Sequence, residues 1–241
     1  MTAPTSIIIS ATAAGDPLPM TSPLGCVVVP VTPFAQNASI LWCTETMRGA
    51  VIDPGGDIDR LLDAAKANGV TIEKILLTHG HLDHAGGAAD LVDAIGVPIE
   101  GPQPEDAFLL DSLAEQGARF GLAGCRPCRP NRWLKDGEQV TIGTQSLDVL
   151  HCPGHTPGHV VFSHPATRFA IVGDTLFRGS IGRTDLPGGD TATLLRAIVA
   201  KLWPLGDDVA FIPGHGPGST IGEERRGNPF VGDEALKRAA R

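Results

Sequence analysis

Short apolar runs rich in β-branched residues alternate along the chain with segments of helical periodicity. Such runs predict buried strands, and apolar positions at helical spacing predict helices that pack on them. This order predicts an α/β fold in which two sheets stack on each other and the helices lie outside. The predicted strands are 26–31, 39–43, 49–52, 74–77, 98–99, 139–142, 146–150, 160–163, 169–172 and 209–212, and the predicted helices are 58–67, 85–95, 104–117, 191–202 and 233–240.

The beginning of the chain differs in composition from the rest. Residues 1–23 are rich in Pro, Thr, Ser and Ala with a single β-branched patch, which predicts a loosely attached N-terminal extension. Residues 24–241 are predicted to form a single domain, and a chain of 241 residues is long enough to bury a sizeable core. The 30 glycines and 20 prolines stand between apolar runs, as is typical of many short strands joined by tight loops.

The charge balance is acidic, with 27 acidic against 19 basic residues and a net charge of −8. This balance disfavours nucleic acid or an anionic membrane as a partner, although a local basic pocket can still hold a small anion. No apolar run approaches the ~20 residues that a membrane span requires. The apolar patch near residue 7 lacks the preceding basic region of a signal peptide, so a cytoplasmic location is predicted. The sequence does not determine the oligomeric state.

Cysteine usage argues against a disulfide framework, because five cysteines are an odd number and no secretory signal precedes them. Cys125 and Cys128 form a lone C-x-x-C pair without a second pair for zinc. A redox or metal role for this pair is therefore the less favoured interpretation, and its role stays open.

The strongest chemical signal lies between strand 74–77 and the helix that follows it. His79, His81, Asp83 and His84 fall within six positions, in H-x-H-x-D-H spacing. A solvated or capping histidine explains one such residue, but not four residues that can all bind metal. Side chains on a strand-to-helix loop point in different directions, so this segment can serve two metal ions.

Three further predicted strands are each followed by a loop with one residue of metal-ligand type. These residues are His155, Asp174 and His215, and glycine or proline flanks each of them. Stiff loops of this kind suit ligands that must be held without reorganisation. Asp53 ends another strand and is predicted either to orient a ligand histidine or to cap a turn.

The segment from Thr78 to Gly87 reads T-H-G-H-L-D-H-A-G-G and resembles the signature of the metallo-β-lactamase fold superfamily. The resemblance implies an αββα sandwich that binds two divalent ions, zinc first, with iron or manganese as alternatives. It also implies catalytic roles for Asp83 and Asp174, and it leaves His151, His159 and His164 to packing or solvent. The implied ligands are His79, His81 and His155 for the first metal, Asp83, His84 and His215 for the second, and Asp174 as the bridging carboxylate.

A closer resemblance, over nearly all of residues 26–235, is to the short bacterial glyoxalase II-like (hydroxyacylglutathione hydrolase-like) branch. Segments 53–56, 152–159, 179–185 and 213–220 carry it. It implies that a metal-bridging hydroxide hydrolyses a thioester, such as the S-2-hydroxyacyl thiol S-lactoylglutathione. The chain has no Tyr, so the tyrosines that hold glutathione in the longer eukaryotic enzymes are missing. The acyl group and the carrier thiol therefore stay open.

Substrate binding by an acidic protein requires local positive charge near the metals. Arg178, Arg183 and Arg225 lie in segments that follow ligand-bearing loops and are the candidates. Arg183 falls where the family carries an anchoring lysine, and a guanidinium can bind a carboxylate through two parallel hydrogen bonds. The alternative is a surface arginine that pairs with Asp185.

The principal alternative function is a mononuclear iron persulfide dioxygenase on the same fold. The segment 182–185 resembles that family, and its iron would be held by His79, His155 and Asp174, a two-histidine-one-carboxylate set. The segment 213–217 matches the hydrolase branch better. A non-catalytic binding protein is disfavoured because all seven ligand positions are filled.

Overall fold

Two six-stranded sheets form the centre of the protein in the computed structural model, which describes residues 5–8 and 22–239. The first sheet runs in chain order, with antiparallel pairing through its first four strands and parallel pairing in the last two pairs. Its strands are β1 (Thr5–Ile8), β2 (Leu24–Val31), β3 (Gln36–Cys43), β4 (Arg48–Ile52), β5 (Thr71–Leu76) and β6 (Ile99–Glu100).

The second sheet comes from the second half of the chain. In space its order is β14-β13-β10-β9-β8-β7, and only β10 and β13 pair in parallel. The strands of this half are β7 (Gln139–Ile142), β8 (Gln145–His151), β9 (Val160–His164), β10 (Phe169–Gly173), a separate small hairpin of β11 (Leu176–Phe177) and β12 (Ser180–Ile181), β13 (Ala210–Pro213) and β14 (Ser219–Thr220).

The helices cover the outer faces of the two sheets. They are α1 (Ile58–Ala67), α2 (Leu82–Ala85), α3 (Ala88–Ile95), α4 (Ala107–Asp111), α5 (Leu113–Phe120), α6 (Thr191–Ala197, continued as a π-helix to Leu202), α7 (Ile221–Gly227) and α8 (Asp233–Ala239). Within residues 5–8 and 22–239, none of them is long and apolar enough to cross a membrane.

The core has three apolar layers, which define a four-layer sandwich. Between the sheets, Leu41 and Leu76 from the first sheet share a cluster with Phe162 from the second. A second cluster packs α1, α3 and α5 on the first sheet, and a third packs α6 on the second sheet. The predicted α/β fold of αββα type is therefore confirmed.

Two predicted helices have different bounds in the structure. The helix predicted at 85–95 begins earlier, as α2, and is interrupted at Gly86 and Gly87, where a Cβ on Gly87 would lie 2.7 Å from the carbonyl oxygen of Pro54. The helix predicted at 104–117 is broken at Ser112, whose hydroxyl donates to the carbonyl of Leu109. Side-chain bonds of this kind compete with the helix ladder.

The division at residue 23 stays a prediction, because most of the proposed extension lies outside the described residues. The exception is β1, whose backbone pairs antiparallel with β2 in the register Thr5 to Val28. Those four residues pair with the edge of the first sheet.

The strand ends position the predicted site. The parallel strands β4 and β5 end at one edge of the first sheet, and β10 and β13 end at the corresponding edge of the second. The loops that follow these four strands carry Asp53, the segment 79–84, Asp174 and His215. The loop after β8 adds His155, so residues far apart in sequence meet at one edge of the sandwich.

Candidate metal centre

The three histidines predicted to hold a first metal come together at this edge. One ring nitrogen of each of His79, His81 and His155 lies within 4.8 Å of the other two. His81 Nδ1 and His155 Nε2 face each other at 2.9 Å. All three side chains are buried, so they form a nitrogen-donor set that is largely shielded from water.

The residues predicted to hold a second metal form a neighbouring group. Asp83, His84 and His215 each offer one ligand atom within the same 4.8 Å limit. His215 Nε2 lies 3.0 Å from Asp83 Oδ2, and His84 Nε2 lies 3.9 Å from that oxygen. This group differs from the first in containing a carboxylate and in being partly exposed at Asp83 and His215.

Asp174 stands between the two groups. Its Oδ1 lies 3.3 Å from His84 Nε2, while its Oδ2 lies 3.6 Å from His155 Nε2 and 3.8 Å from His215 Nε2. One carboxylate thus presents an oxygen to each group, which is the placement that a bridging ligand requires.

Asp53 connects the ligands of both groups through a buried network. Its Oδ2 lies 2.8 Å from His84 Nδ1 and accepts from the Thr78 hydroxyl at 2.6 Å. Because the Thr78 hydroxyl donates to Asp53, its oxygen is left to accept from His79 Nδ1 at 3.0 Å. Both imidazoles are thereby held with Nε2 toward the centre. Asp53 also lies near enough to His79 and His84 to form a metal-type group, but its oxygens are already engaged here.

Two backbone carbonyls fix two further candidate histidine ligands, His155 and His215. His155 Nδ1 lies 2.7 Å from the carbonyl oxygen of Arg183, and His215 Nδ1 lies 3.2 Å from that of Phe34. A ring N–H that donates to a carbonyl leaves the other nitrogen, Nε2, as the acceptor that can bind metal.

The neutral state of two candidate ligand histidines and three unpaired buried atoms fit metal binding. Burial lowers the pKa of His79 well below its ordinary value and that of His81 to about 3, so both are neutral, the form that ligates. Burial acts to raise the pKa of Asp174, but the charges of His84, His155 and His215 outweigh it and hold that pKa well below its ordinary range. Among the described residues, the buried atoms Nε2 of His79, Nε2 of His84 and Oδ1 of Asp174 have no hydrogen-bond partner. Such atoms are costly unless something absent from the chain satisfies them, and these are the predicted metal-ligand atoms.

Asp106 is a functional residue that the sequence did not predict. Its side chain is fully buried and accepts three hydrogen bonds, from Gly80 N at 2.9 Å, Thr156 Oγ1 at 2.7 Å and Gly158 N at 2.6 Å. It therefore ties the loop of His79 and His81 to the loop of His155. Burial raises the pKa of Asp106 to about 6, against the effect of its three donors.

Asp106→Ala is expected to lower the free energy of unfolding by about 2–4 kcal/mol, because it leaves buried donors on both loops without an acceptor. Metal affinity is expected to fall by about 10–100-fold, as when other partners of ligand residues are removed. Chemical denaturation and metal titration measure the two effects. Asp111→Ala, at an exposed aspartate five positions along, is the control, and equal effects of the two substitutions would contradict this role for Asp106.

The histidines left out of the metal sets have other partners. His159 is fully buried, stacks on His79 with ring centroids 4.7 Å apart, and accepts from Asp174 N at 3.0 Å. His151 Nε2 lies 2.8 Å from the Pro157 carbonyl oxygen, and His164 Nδ1 lies 2.8 Å from Thr167 Oγ1. His159 thus supports both the His79 ring and the backbone of Asp174.

A cleft of about 640 Å³ opens onto the metal centre. His81, His155, Asp174 and His215 lie on its wall, and Arg178 and Arg183 line it as well. Arg183 donates from Nε and Nη2 to the two carboxylate oxygens of Asp185, at 2.8 and 2.7 Å, which is the surface pairing considered as its alternative role.

The other two candidate arginines are placed differently. For Arg178, no ion pair is found among the described residues, so its guanidinium is available to a ligand. Arg225 lies on α7 and donates to Asp207 at 3.0 Å. It is not among the described residues that line the cleft, so the structure does not bring it to the site.

The C-x-x-C pair is buried and separate from the metal ligands. Both thiols are free, and burial raises the pKa of Cys128 to about 12 and raises that of Cys125. In the described part of the chain, neither cysteine belongs to a group of three possible metal ligands. Cys125 lies beside Gly86 and Gly117, where it packs α2 against α5.

The fold and the paired ligand groups define a metallo-hydrolase of the αββα class, and comparison with known proteins agrees. The family model of the metallo-beta-lactamase superfamily matches residues 31–215. The chain belongs to this superfamily. It belongs to the glyoxalase II-like branch, since it is 45% identical over 209 residues to hydroxyacylglutathione hydrolase GloC from Haemophilus influenzae, covering 86% of this chain and 98% of that protein. The predicted family and the prediction of a hydrolytic enzyme are confirmed.

Two solved structures extend the comparison. The protein TTHA1623 in a di-iron-bound form is 39% identical, with a TM-score of 0.77, and the match covers 84% of this chain and 98% of that one. The B3 metallo-beta-lactamase BLEG-1 is 35% identical, with a TM-score of 0.79, over 86% of this chain and 99% of that one. The superfamily and the histidine and aspartate groups of this chain together support divalent metal binding.

Proposed function

We propose that this protein hydrolyses a thioester, most specifically an S-2-hydroxyacyl thiol such as S-lactoylglutathione. The observation that carries the proposal is the pair of three-ligand groups with Asp174 between them. The identity to hydroxyacylglutathione hydrolase GloC supports the substrate class.

The ligand groups fit two divalent ions. His79, His81 and His155 would hold the first, Asp83, His84 and His215 the second, and Asp174 both. Imidazole and carboxylate donors suit zinc, iron and manganese, and the di-iron form of TTHA1623 supports iron beside zinc. Bound together, two such ions supply a water that is activated near neutral pH and Lewis-acid polarisation of a carbonyl.

The chain's own residues prepare this centre before substrate arrives. Asp53, the carbonyl of Arg183 and the carbonyl of Phe34 fix three ligand rings in one orientation. Asp106 holds two ligand loops at a constant separation. A centre held in this way needs no reorganisation when the reaction begins.

The cleft is proposed to bind and orient the substrate. Arg178 is proposed to bind a carboxylate of the thiol carrier, and Arg183 can join it after release from Asp185. In the reaction, a C–O bond forms between water and the acyl carbon, the C–S bond breaks, and the departing thiolate takes up a proton. Cys152, beside the His155 loop, is fully buried, and burial raises the pKa of its thiol, so no protein nucleophile is assigned to it.

The alternative, a mononuclear persulfide dioxygenase, would use His79, His155 and Asp174 alone. It would leave Asp83, His84 and His215 without a role, although they converge within 4.8 Å of one another. The complete second group favours the hydrolase. A cytoplasmic location and the absence of nucleic-acid and membrane partners stay predictions of the sequence.

His215→Ala is expected to lower the metal content from two ions per chain toward one and thioester turnover by about a hundredfold or more, because it removes a ligand of the second ion. Metal analysis after anaerobic purification and hydrolysis of S-lactoylglutathione measure these effects. His164→Gln, at the far end of β9, is the control. Full thioester turnover by a one-metal His215→Ala protein would contradict the dinuclear proposal, and oxygen uptake with glutathione persulfide would favour the dioxygenase.

A further inference from the structure

A second, smaller cavity lies beside the cleft at the metal centre. It has a volume of about 230 Å³, and its wall includes the ligand His81. His81, Gln116, Phe120 and Leu186 line both this side cavity and the main cleft. The two spaces therefore meet next to the first metal's ligands, and a molecule whose reacting carbonyl lies there can extend into both.

The two spaces differ in chemistry. The main cleft contains Arg178 and Arg183, whereas the side cavity has five apolar residues on its wall, Phe108, Leu109, Phe120, Leu186 and Pro187, and carries the acidic Glu115 beside them. Its single described cation, Arg119, lies with its guanidinium carbon 5.6 Å from the centre of the Phe120 ring, a cation–π contact. A thioester consists of an acyl group and a thiol carrier. The arginines of the main cleft favour an anionic carrier there, and this leaves the side cavity to the acyl group.

Two polar side chains on the wall of the side cavity, Ser112 and Gln116, are already engaged in hydrogen bonds to the backbone. The Ser112 hydroxyl donates to the Leu109 carbonyl, and Gln116 Nε2 donates to the same carbonyl at 2.8 Å. Gln116 Oε1 accepts from Leu82 N at 3.1 Å. The wall therefore favours the binding of an apolar acyl group over that of an acyl group that requires hydrogen bonds.

Exposed aromatic residues also lie on the wall of the side cavity. In the described part of the chain, the exposed phenylalanines are Phe34, Phe108, Phe120 and Phe230. Phe108 is 45% exposed and Phe120 is 41% exposed, and both line the side cavity. Aromatic surface left in water beside a reactive centre is typical of a binding site.

We propose that the side cavity is the acyl pocket and that it selects thioesters with a phenyl-sized apolar acyl group. This inference rests on the proposed thioester hydrolysis. An apolar cavity of roughly 150 Å³ is enough for benzene, so 230 Å³ accommodates a phenyl ring. The methyl group of a lactoyl substrate would fill only part of it.

The test compares S-mandeloylglutathione with S-lactoylglutathione on the full-length, metal-loaded protein. The two substrates share the carrier and the 2-hydroxyl and differ by phenyl against methyl. The kcat/KM for the mandeloyl substrate is expected to be higher by about tenfold, the lower end of what added apolar contacts provide in a pocket. A second readout is binding of S-benzylglutathione against S-methylglutathione, thioethers that are not hydrolysed, and the benzyl compound is expected to bind more tightly.

Phe108→Asp places a charge in the side cavity at a position that is 45% exposed. It is expected to remove the mandeloyl preference, because kcat/KM falls about tenfold more for the mandeloyl substrate than for the lactoyl substrate. Phe230→Asp is the matched control, because Phe230 is 53% exposed and lines neither space, and it is expected to keep the preference.

Each outcome bears on one of the two proposals. Equal or lower kcat/KM for the mandeloyl substrate, or an equal loss on both substrates in Phe108→Asp, would overturn the acyl pocket and leave thioester hydrolysis standing. Failure of the metal-loaded protein to hydrolyse either thioester would overturn the proposed function, and the acyl pocket with it.

Discussion

Asp174→Ala is expected to remove bound metal and to lower thioester hydrolysis by roughly a thousandfold or more, the scale of loss when one member of a catalytic unit is removed. Asp174 is the residue whose two oxygens face both ligand groups, at 3.3 Å from His84 Nε2 and 3.6 Å from His155 Nε2. Without it, two divalent ions would lie close together with one less negative charge between them. Their mutual repulsion in a buried site then disfavours double occupancy.

Metal analysis and kinetics with S-lactoylglutathione measure the two effects. Asp174→Asn separates charge from shape, because the amide keeps the size of the side chain and loses its charge. It is expected to resemble Asp174→Ala in metal content. Asp93→Ala, at an exposed aspartate that pairs with Arg126, controls for the loss of any carboxylate. Two bound metals and an unchanged rate in Asp174→Ala would show that Asp174 is not the bridge.

The candidate metal ligands could be predicted because their signal is local. His79, His81, Asp83 and His84 stand on one loop, and the spacing alone indicates metal binding. His155, Asp174 and His215 could be added because each follows an apolar strand, and strand ends meet at the edge of a sheet. The structure brings all seven together, although their roles as ligands stay a proposal until metal is measured.

The contribution of Asp106 could not be predicted in the same way. It follows Pro104 and Glu105, a pattern that is typical of the solvent-exposed first turn of a helix. Its partners Gly80 and Thr156 lie 26 and 50 positions away. Nothing local distinguishes a buried acceptor from an exposed acidic residue at a helix start, so only the packed structure identifies the link.

The arginines show a second limit of the sequence. Arg178 and Arg183 both reach the cleft, as their positions after Asp174 indicated. Which of them is free for substrate depends on the neighbour that each side chain finds, and Arg183 finds Asp185 only two positions away. The side cavity could not be predicted either, because α4 and α5 were predicted as one helix. Their separation at Ser112 could not be seen in the apolar pattern.

Gly214→Ala is expected to disrupt the metal centre through steric contact, although Gly214 binds no metal itself. A Cβ at this position would collide with Asp174 Oδ1 and would lie 2.5 Å from His84 Cε1. Neither atom can move freely, because Asp174 is buried and His84 is held by Asp53. The backbone cannot retreat either, since Gly214 N donates to the Gly173 carbonyl at 2.8 Å and Gly214 O accepts from Asn37 N at 2.7 Å.

The substitution is expected to lower hydrolysis by about a hundredfold, because displacement of catalytic groups by about 1 Å has effects of that size. It is also expected to cost about 1–3 kcal/mol of unfolding free energy, as overpacking does. Kinetics, metal analysis and denaturation measure these effects together.

Two further glycine substitutions separate the steric effect from backbone strain. Gly216 has a φ of +71° with no atom within 4 Å of an added Cβ, so Gly216→Ala is expected to cost some stability and to keep both metals. Gly227 ends α7 with open space around it, so Gly227→Ala is expected to leave activity unchanged. If Gly214→Ala and Gly216→Ala lost metal equally, strain in the His215 loop, rather than contact with Asp174 and His84, would be the cause.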